Sequence, residues 1–221
     1  HQVKTPIAAL RLLLQNKNED GKMTEELSEL FDIEQYVEMA LQYQRLDSET
    51  TDFIFEETDL DEIIRGAVKK YARQFIAKKI SLCYEPVETS VVTDKKWLSF
   101  VIEQVISNAV KYTKTGSIKI YLEDGDGTMS VPLPEISHAK KTEMGNGSTS
   151  SVCLVIEDAG IGIRAEDLPR ICEMGYTGCN GHEGQHSSGI GLYLCSRILK
   201  KLGHTFAITS KEGVGTVVKI G

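Results

Sequence analysis

Apolar residues recur at helical spacing in the first quarter of the chain; beyond it, helical stretches alternate with short runs of two-residue periodicity. Ile7, Leu10, Leu13 and Leu14 predict a helix within residues 1–15, with Pro6 either in its first turn or kinking a longer one. A second helix from Met23 carries Leu27, Leu30, Phe31, Ile33, Tyr36, Val37, Ala40, Leu41 and Leu46, a stripe too wide for one short helix to cover. Two copies of such an antiparallel hairpin would bury it as a four-helix bundle.

After residue 47 the pattern changes. FIF at 53–55 predicts a short entry strand, and Asp59 predicts the cap of a helix over 60–78 that buries Ile63, Ile64, Ala67, Val68, Tyr71 and Phe75. ISLCYE and VVTD follow as strands, and Lys95–Tyr112 as a long helix with Trp97, Phe100, Val101, Val105, Ile106 and Ala109 inward. GSIKIYLED alternates as a strand, residues 124–151 predict a long loop or hairpin extension, and Val152–Glu157 resumes the sheet. AEDLPRICE predicts a short helix, Gly189–Leu202 a longer one, and TFAITS and GTVVKI two closing strands joined by EGVG. The sum is an α+β chain: a helical hairpin over residues 1–50, then a two-layer α/β sandwich over 51–221.

Composition narrows the partners. A formal charge of −7 over 221 residues, without a basic stripe, argues against nucleic acid and for proteins or small molecules. Five cysteines without a C-x-x-C pair predict reduced thiols rather than a disulfide framework. No apolar run is long enough to span a bilayer, and no signal peptide is evident. The chain reads as a soluble, cytoplasmic fragment that begins abruptly at His1.

Chemistry concentrates in two glycine clusters and one helix face. Gly160 and Gly162 follow a strand ending at Asp158, while Gly189 and Gly191 open a helix whose bare N–H groups suit phosphate. Gln104, Asn108 and Lys111 form a polar line on an otherwise apolar helix; an amide oxygen can serve a metal, and an ammonium can neutralise phosphate. Between the clusters, GYTGCNGHEGQHSSG has the composition of a lid. Cys179, His182 and His186 have ligand-like spacing but no convincing fourth group for zinc. Neither G-x-G-x-x-G after a strand nor a Walker loop is present.

Four motifs in this order carry a resemblance over nearly the whole chain: HQVKTP at 1–6, NAVKYT at 108–113, DAGIG at 158–162 and GIGLYL at 189–194. The sequence resembles the cytoplasmic catalytic core of bacterial two-component sensor histidine kinases, whose ATP domain is shared with gyrase and Hsp90. GYTGCNG at 175–181 is similar to the GFTGxNG segment of kinases that sense envelope stress or antimicrobial peptides, and QYQRLDSE at 42–49 to the end of their second dimerisation helix.

The resemblance implies that His1 takes the γ-phosphoryl group of ATP and passes it to an aspartate of a response regulator, with Gln2 beside it and Thr5 placing water for regulator dephosphorylation. It implies Asn108 as the Mg²⁺ ligand, Lys111 on phosphate, Tyr112 near adenine or sugar, and Asp158 accepting from the adenine amino group. Gly160, Gly162, Thr177, Gly178, Gly189, Gly191 and Leu192 would border the nucleotide. It further implies a homodimer, and a membrane sensor segment in the full-length protein. Two departures qualify the activity. Gln2 stands where Glu or Asp is usual and cannot take a proton at neutral pH, and Cys172 stands where Phe is common, which loosens lid packing. An ATP-binding regulatory core with weak or lost autokinase activity is therefore the alternative.

Overall fold

The computed structural model describes residues 4–17, 25–47, 53–125, 151–178 and 188–221. Helices α1 (Lys4–Lys17) and α2 (Glu25–Asp47) are followed by β1 (Glu56–Asp59), α3 (Leu60–Lys78), β2 (Ser81–Tyr84), β3 (Ser90–Thr93) and α4 (Lys95–Tyr112). Then come β4 (Ser117–Gly125), β5 (Ser151–Asp158), α5 (Gly191–Leu202), β6 (Phe206–Lys211) and β7 (Gly215–Ile220). The main sheet has the order β2-β4-β5-β7-β6, and β1 pairs with β3 in a separate ribbon. Only β2 and β4 are parallel; the other pairings are antiparallel.

Register places every second residue of the main sheet against the helices. Ile120, Ile156, Val218 and Ile208 align across four strands and belong to, or pack on, the core shared with α3, α4 and α5. The next row on the same face keeps Ile118 of β4 in the core but turns polar on the other three strands, with Asp158 opposite Thr216 and Thr216 opposite Ser210. That row marks where the core ends.

The starts of α3 and α4 have local causes. Asp59 caps α3 by accepting from the Asp61 and Glu62 N–H groups, as expected, and Asp94 caps α4 through Trp97 N–H at 3.1 Å. The FIF segment is not a strand, and the ribbon strand begins at Glu56. Asp94 draws the segment inward by taking Ile54 N–H at 2.9 Å, and Phe53 stacks on Trp97 with ring centres 5.7 Å apart.

The expected helix at AEDLPRICE is a run of turns. Pro169 has no N–H and disfavours helical geometry at Leu168, so hydrogen bonds such as Arg170 N–H to Asp167 carbonyl close three residues back.

The helical hairpin packs part of its apolar stripe on the sandwich. Leu27, Leu30, Met39 and Leu46 on α2 are buried within the single chain, Met39 and Leu46 as part of the core of the sandwich. Phe31 meets Tyr71 edge to face at 5.5 Å, and Arg197 pairs with Asp47 at 3.2 Å. One face of the wide stripe is thus covered by the chain's own sandwich. Leu10 and Leu13 on α1 and Ile33 on α2 remain about half exposed, and Arg11 pairs with Glu34 to join the two helices.

Asp94 serves the α4 cap and the inward turn of residues 53–54 together. Replacing it with Ala should cost about 1–2 kcal/mol, read as a lower urea midpoint with an unchanged slope.

Candidate functional site

The polar end of the sheet opens into a cavity of about 380 Å³. Its floor is Ile156, Asp158, Thr216, Val218 and Ile208, and one wall is the polar line of α4, Gln104, Asn108 and Lys111. The helix repeat puts those three on one side while Val101, Ile102 and Ile106 face the core.

Asp158 is held by its surroundings. Gly160 N–H donates to its carboxylate at 2.8 Å, and burial raises its pKa against the opposing N–H groups of Gly160 and Thr216. The turn beyond it is pinned on both flanks: Ile161 N–H donates to the Tyr112 carbonyl at 3.2 Å, and Ile163 N–H to Ser210 Oγ at 2.8 Å. At Gly162, with φ of 69°, a Cβ would stand 2.1 Å from the Lys211 carbonyl oxygen. Only glycine fits there.

Lys111 and Lys78 supply positive charge. Burial lowers the pKa of both, and Asp32 of α2 opposes the shift in each case. Lys78 Nζ donates to the carbonyls of Val110 and Lys111, closing the C-terminus of α4 beside the cavity. α5 begins on the same cavity: Ile190 gives it no side-chain cap, and Gly191 brings its first turn against Gln104. Its first N–H groups therefore provide an anion-favouring end.

Of the residues expected from sequence, Asn108, Lys111, Tyr112, Asp158, Gly162, Thr177, Gly178, Gly189, Gly191 and Leu192 all line this cavity. Gly160 lies just beneath, buried under the Asp158 carboxylate. Thr5 is in the first turn of α1, and His1 and Gln2 lie outside the described residues, as do Cys179, His182 and His186. Cys172 packs against the core, and burial lifts its thiol to about 11.

The reading of the sequence missed α2. Ser28, Asp32, Gln35 and Met39 face the cavity at spacings of four, three and four, a helical strip, polar except at Met39, that was visible within the apolar stripe. Gln74 of α3 was missed too; it lines the cavity with its side-chain oxygen buried and without a hydrogen-bond partner. Such an orphan acceptor fits a site that receives a polar ligand.

Residues 93–221 match the family of histidine kinase-, DNA gyrase B- and HSP90-like ATPases. The chain belongs to that family. The ATPase fold thereby accounts for the cavity between α4 and the sheet, and for ATP as the ligand class. Over its whole length the chain is similar to the sensor histidine kinase YxdK of Bacillus subtilis, 35% identical across 99% of this chain and 61% of YxdK. The chain thus spans about three fifths of that relative.

Two solved structures share the fold: full-length ShkA in complex with AMPPNP, and ThkA in complex with the response regulator TrrA. ShkA gives a TM-score of 0.64 at 17% identity, covering 97% of this chain and 44% of ShkA. ThkA gives 0.60 at 18%, covering 100% of this chain and 58% of that one.

Gly162 and Gly213 both have left-handed backbone, but a Cβ at Gly213 meets nothing within 4 Å. Gly213→Ala should lose about 1–2 kcal/mol from strain alone, and Gly162→Ala clearly more, measured as the difference in unfolding free energy.

Proposed function

We propose that this chain is the catalytic core of a sensor histidine kinase: it binds ATP, phosphorylates its own histidine and passes the phosphoryl group to an aspartate of a response regulator. The observation that carries the reading is the placement of Asn108 and Lys111 in one cavity with Asp158, under the uncapped start of α5. Asp158 would accept from the adenine amino group, and Lys111 with the α5 N–H groups would neutralise phosphate. Mg²⁺, when bound, would neutralise charge on the triphosphate. Asn108 offers it one oxygen, and among the described residues no cluster of His, Cys, Asp or Glu competes for it. That donor set suits an ion held mostly by phosphate and water.

Transfer requires a neutral imidazole on His1. Its lone pair attacks the γ-phosphorus, the bond from that phosphorus to the bridging oxygen breaks, and ADP leaves. Gln104 stands at the cavity without a carboxylate to activate water, which favours transfer over hydrolysis.

Residues 1–50 act in this reading as the dimerisation and phosphotransfer hairpin, and 51–221 as the ATP-binding unit. The exposed Leu10, Leu13 and Ile33 supply apolar surface for a second copy. Thr5, as the water-positioning residue, would support regulator dephosphorylation. Among the described residues no helix is long and apolar enough to cross a membrane; the full-length protein is proposed to sit in the bacterial cell membrane. A second reading, an ATP-binding core with weak or lost autokinase activity, is favoured by Gln2 beside the acceptor.

Incubation of the full-length protein with γ-labelled ATP should give an acid-labile, alkali-stable label that disappears in His1→Ala. No label in the unmodified protein would favour the second reading. Asp158→Asn turns a donor toward the adenine amine and should weaken ATP binding about ten- to a hundredfold in calorimetry, with the fold retained.

A further inference from the structure

Part of the cavity lining is set by a carboxylate outside the family motifs. Asp167 is 6% exposed, and one of its oxygens receives the Tyr176 hydroxyl at 2.5 Å. Its other oxygen lies against Gly178, where a Cβ would approach it to 3.2 Å. The Arg170 guanidinium carbon stands 4.3 Å from the centre of the Tyr176 ring, and Arg170 itself pairs with Glu173 at 3.1 Å. Hydroxyl, ring and following glycine are all engaged.

The same short segment is tied at its start. Gly175 N–H donates to the Gly189 carbonyl at 3.0 Å, and at Gly189 a Cβ would stand 2.4 Å from the Gly175 carbonyl carbon. Thr177 therefore sits between Tyr176, which bonds Asp167, and Gly178, where a Cβ would crowd it, two residues beyond the Gly175–Gly189 backbone junction. Asp167, Tyr176, Thr177 and Gly178 all line the cavity. A buried carboxylate is costly unless its hydrogen bonds are made, and Asp167 lies outside the apolar core that fixes the fold. What its bond does fix is the place of Thr177.

We propose that Asp167 and Tyr176 are a positioning pair for nucleotide: their hydrogen bond holds Thr177 and Gly178 at the cavity wall in the arrangement that meets bound ATP. The proposal rests on the ATP reading above. Tyr176 stands where the similar GFTGxNG segment has Phe, so the hydroxyl is a contribution of this chain. Neither residue touches the reacting atoms; both act through the segment they hold.

The test is calorimetric titration of ATP into the unmodified protein, Tyr176→Phe, Asp167→Leu and the double variant, with thermal melts of each; leucine keeps about the shape of the side chain but offers no acceptor. Each single variant should weaken ATP binding about five- to tenfold with the binding stoichiometry unchanged, since a positioning defect lowers affinity whereas misfolding lowers the number of competent sites. The double variant should bind no more weakly than the worse single one, because both remove the same bond. Tyr176→Phe is isosteric and keeps the question decidable if Asp167→Leu folds poorly. Affinity in Tyr176→Phe equal to that of the unmodified protein, or additive losses in the double variant, would overturn the pair while leaving the ATP reading intact. Absence of ATP binding in the unmodified protein would overturn both.

Discussion

The molecule depends on where the inward face of its sheet stops being apolar. Three rows of side chains point at the helices, and the row containing Ile156 is hydrophobic across four strands. One step along, Asp158, Thr216 and Ser210 take the same orientation. The apolar rows hold α3, α4 and α5 in place, and the polar row cannot be closed over by them without burying unmatched groups. A cavity at that end follows from the change of row, and the turn after Asp158 is left to line it.

Electrostatics at the cavity is a balance of buried groups. Burial raises Asp158 and lowers Lys78 and Lys111, so each is pushed toward neutrality by its surroundings. Asp32 works against that tendency for both lysines, from a helix that belongs to the hairpin. Lys70 adds a second tie, pairing with Glu103 of α4 at 2.5 Å and with Glu38 of α2 at 3.4 Å.

Most strands and helices were legible because their periods are local, and capping residues such as Asp59 announce themselves. The failures share a cause. FIF has strand composition, but Asp94, 40 residues on, takes the Ile54 N–H. AEDLPRICE has helical apolar spacing, but Pro169 removes the necessary donor. The cavity-lining residues on α4, α5 and the glycine turns were readable through motif order. Those on α2 were not, because an apolar stripe states that something covers it and not what; here the cover is the chain's own sandwich.

Since Met39, Asp32 and Gln35 complete a cavity whose other walls come from α4, α5 and the sheet, the hairpin and the cavity share a surface. Ser188 Oγ, 3.1 Å from Met39 Sδ, sits at that seam. Thermodynamic linkage then applies in both directions: a ligand that prefers one placement of α2 shifts the helix by the same free energy with which the helix shifts the ligand. A displacement of the hairpin and a ligand entering the cavity would then be, at this seam, two effectors of a single equilibrium.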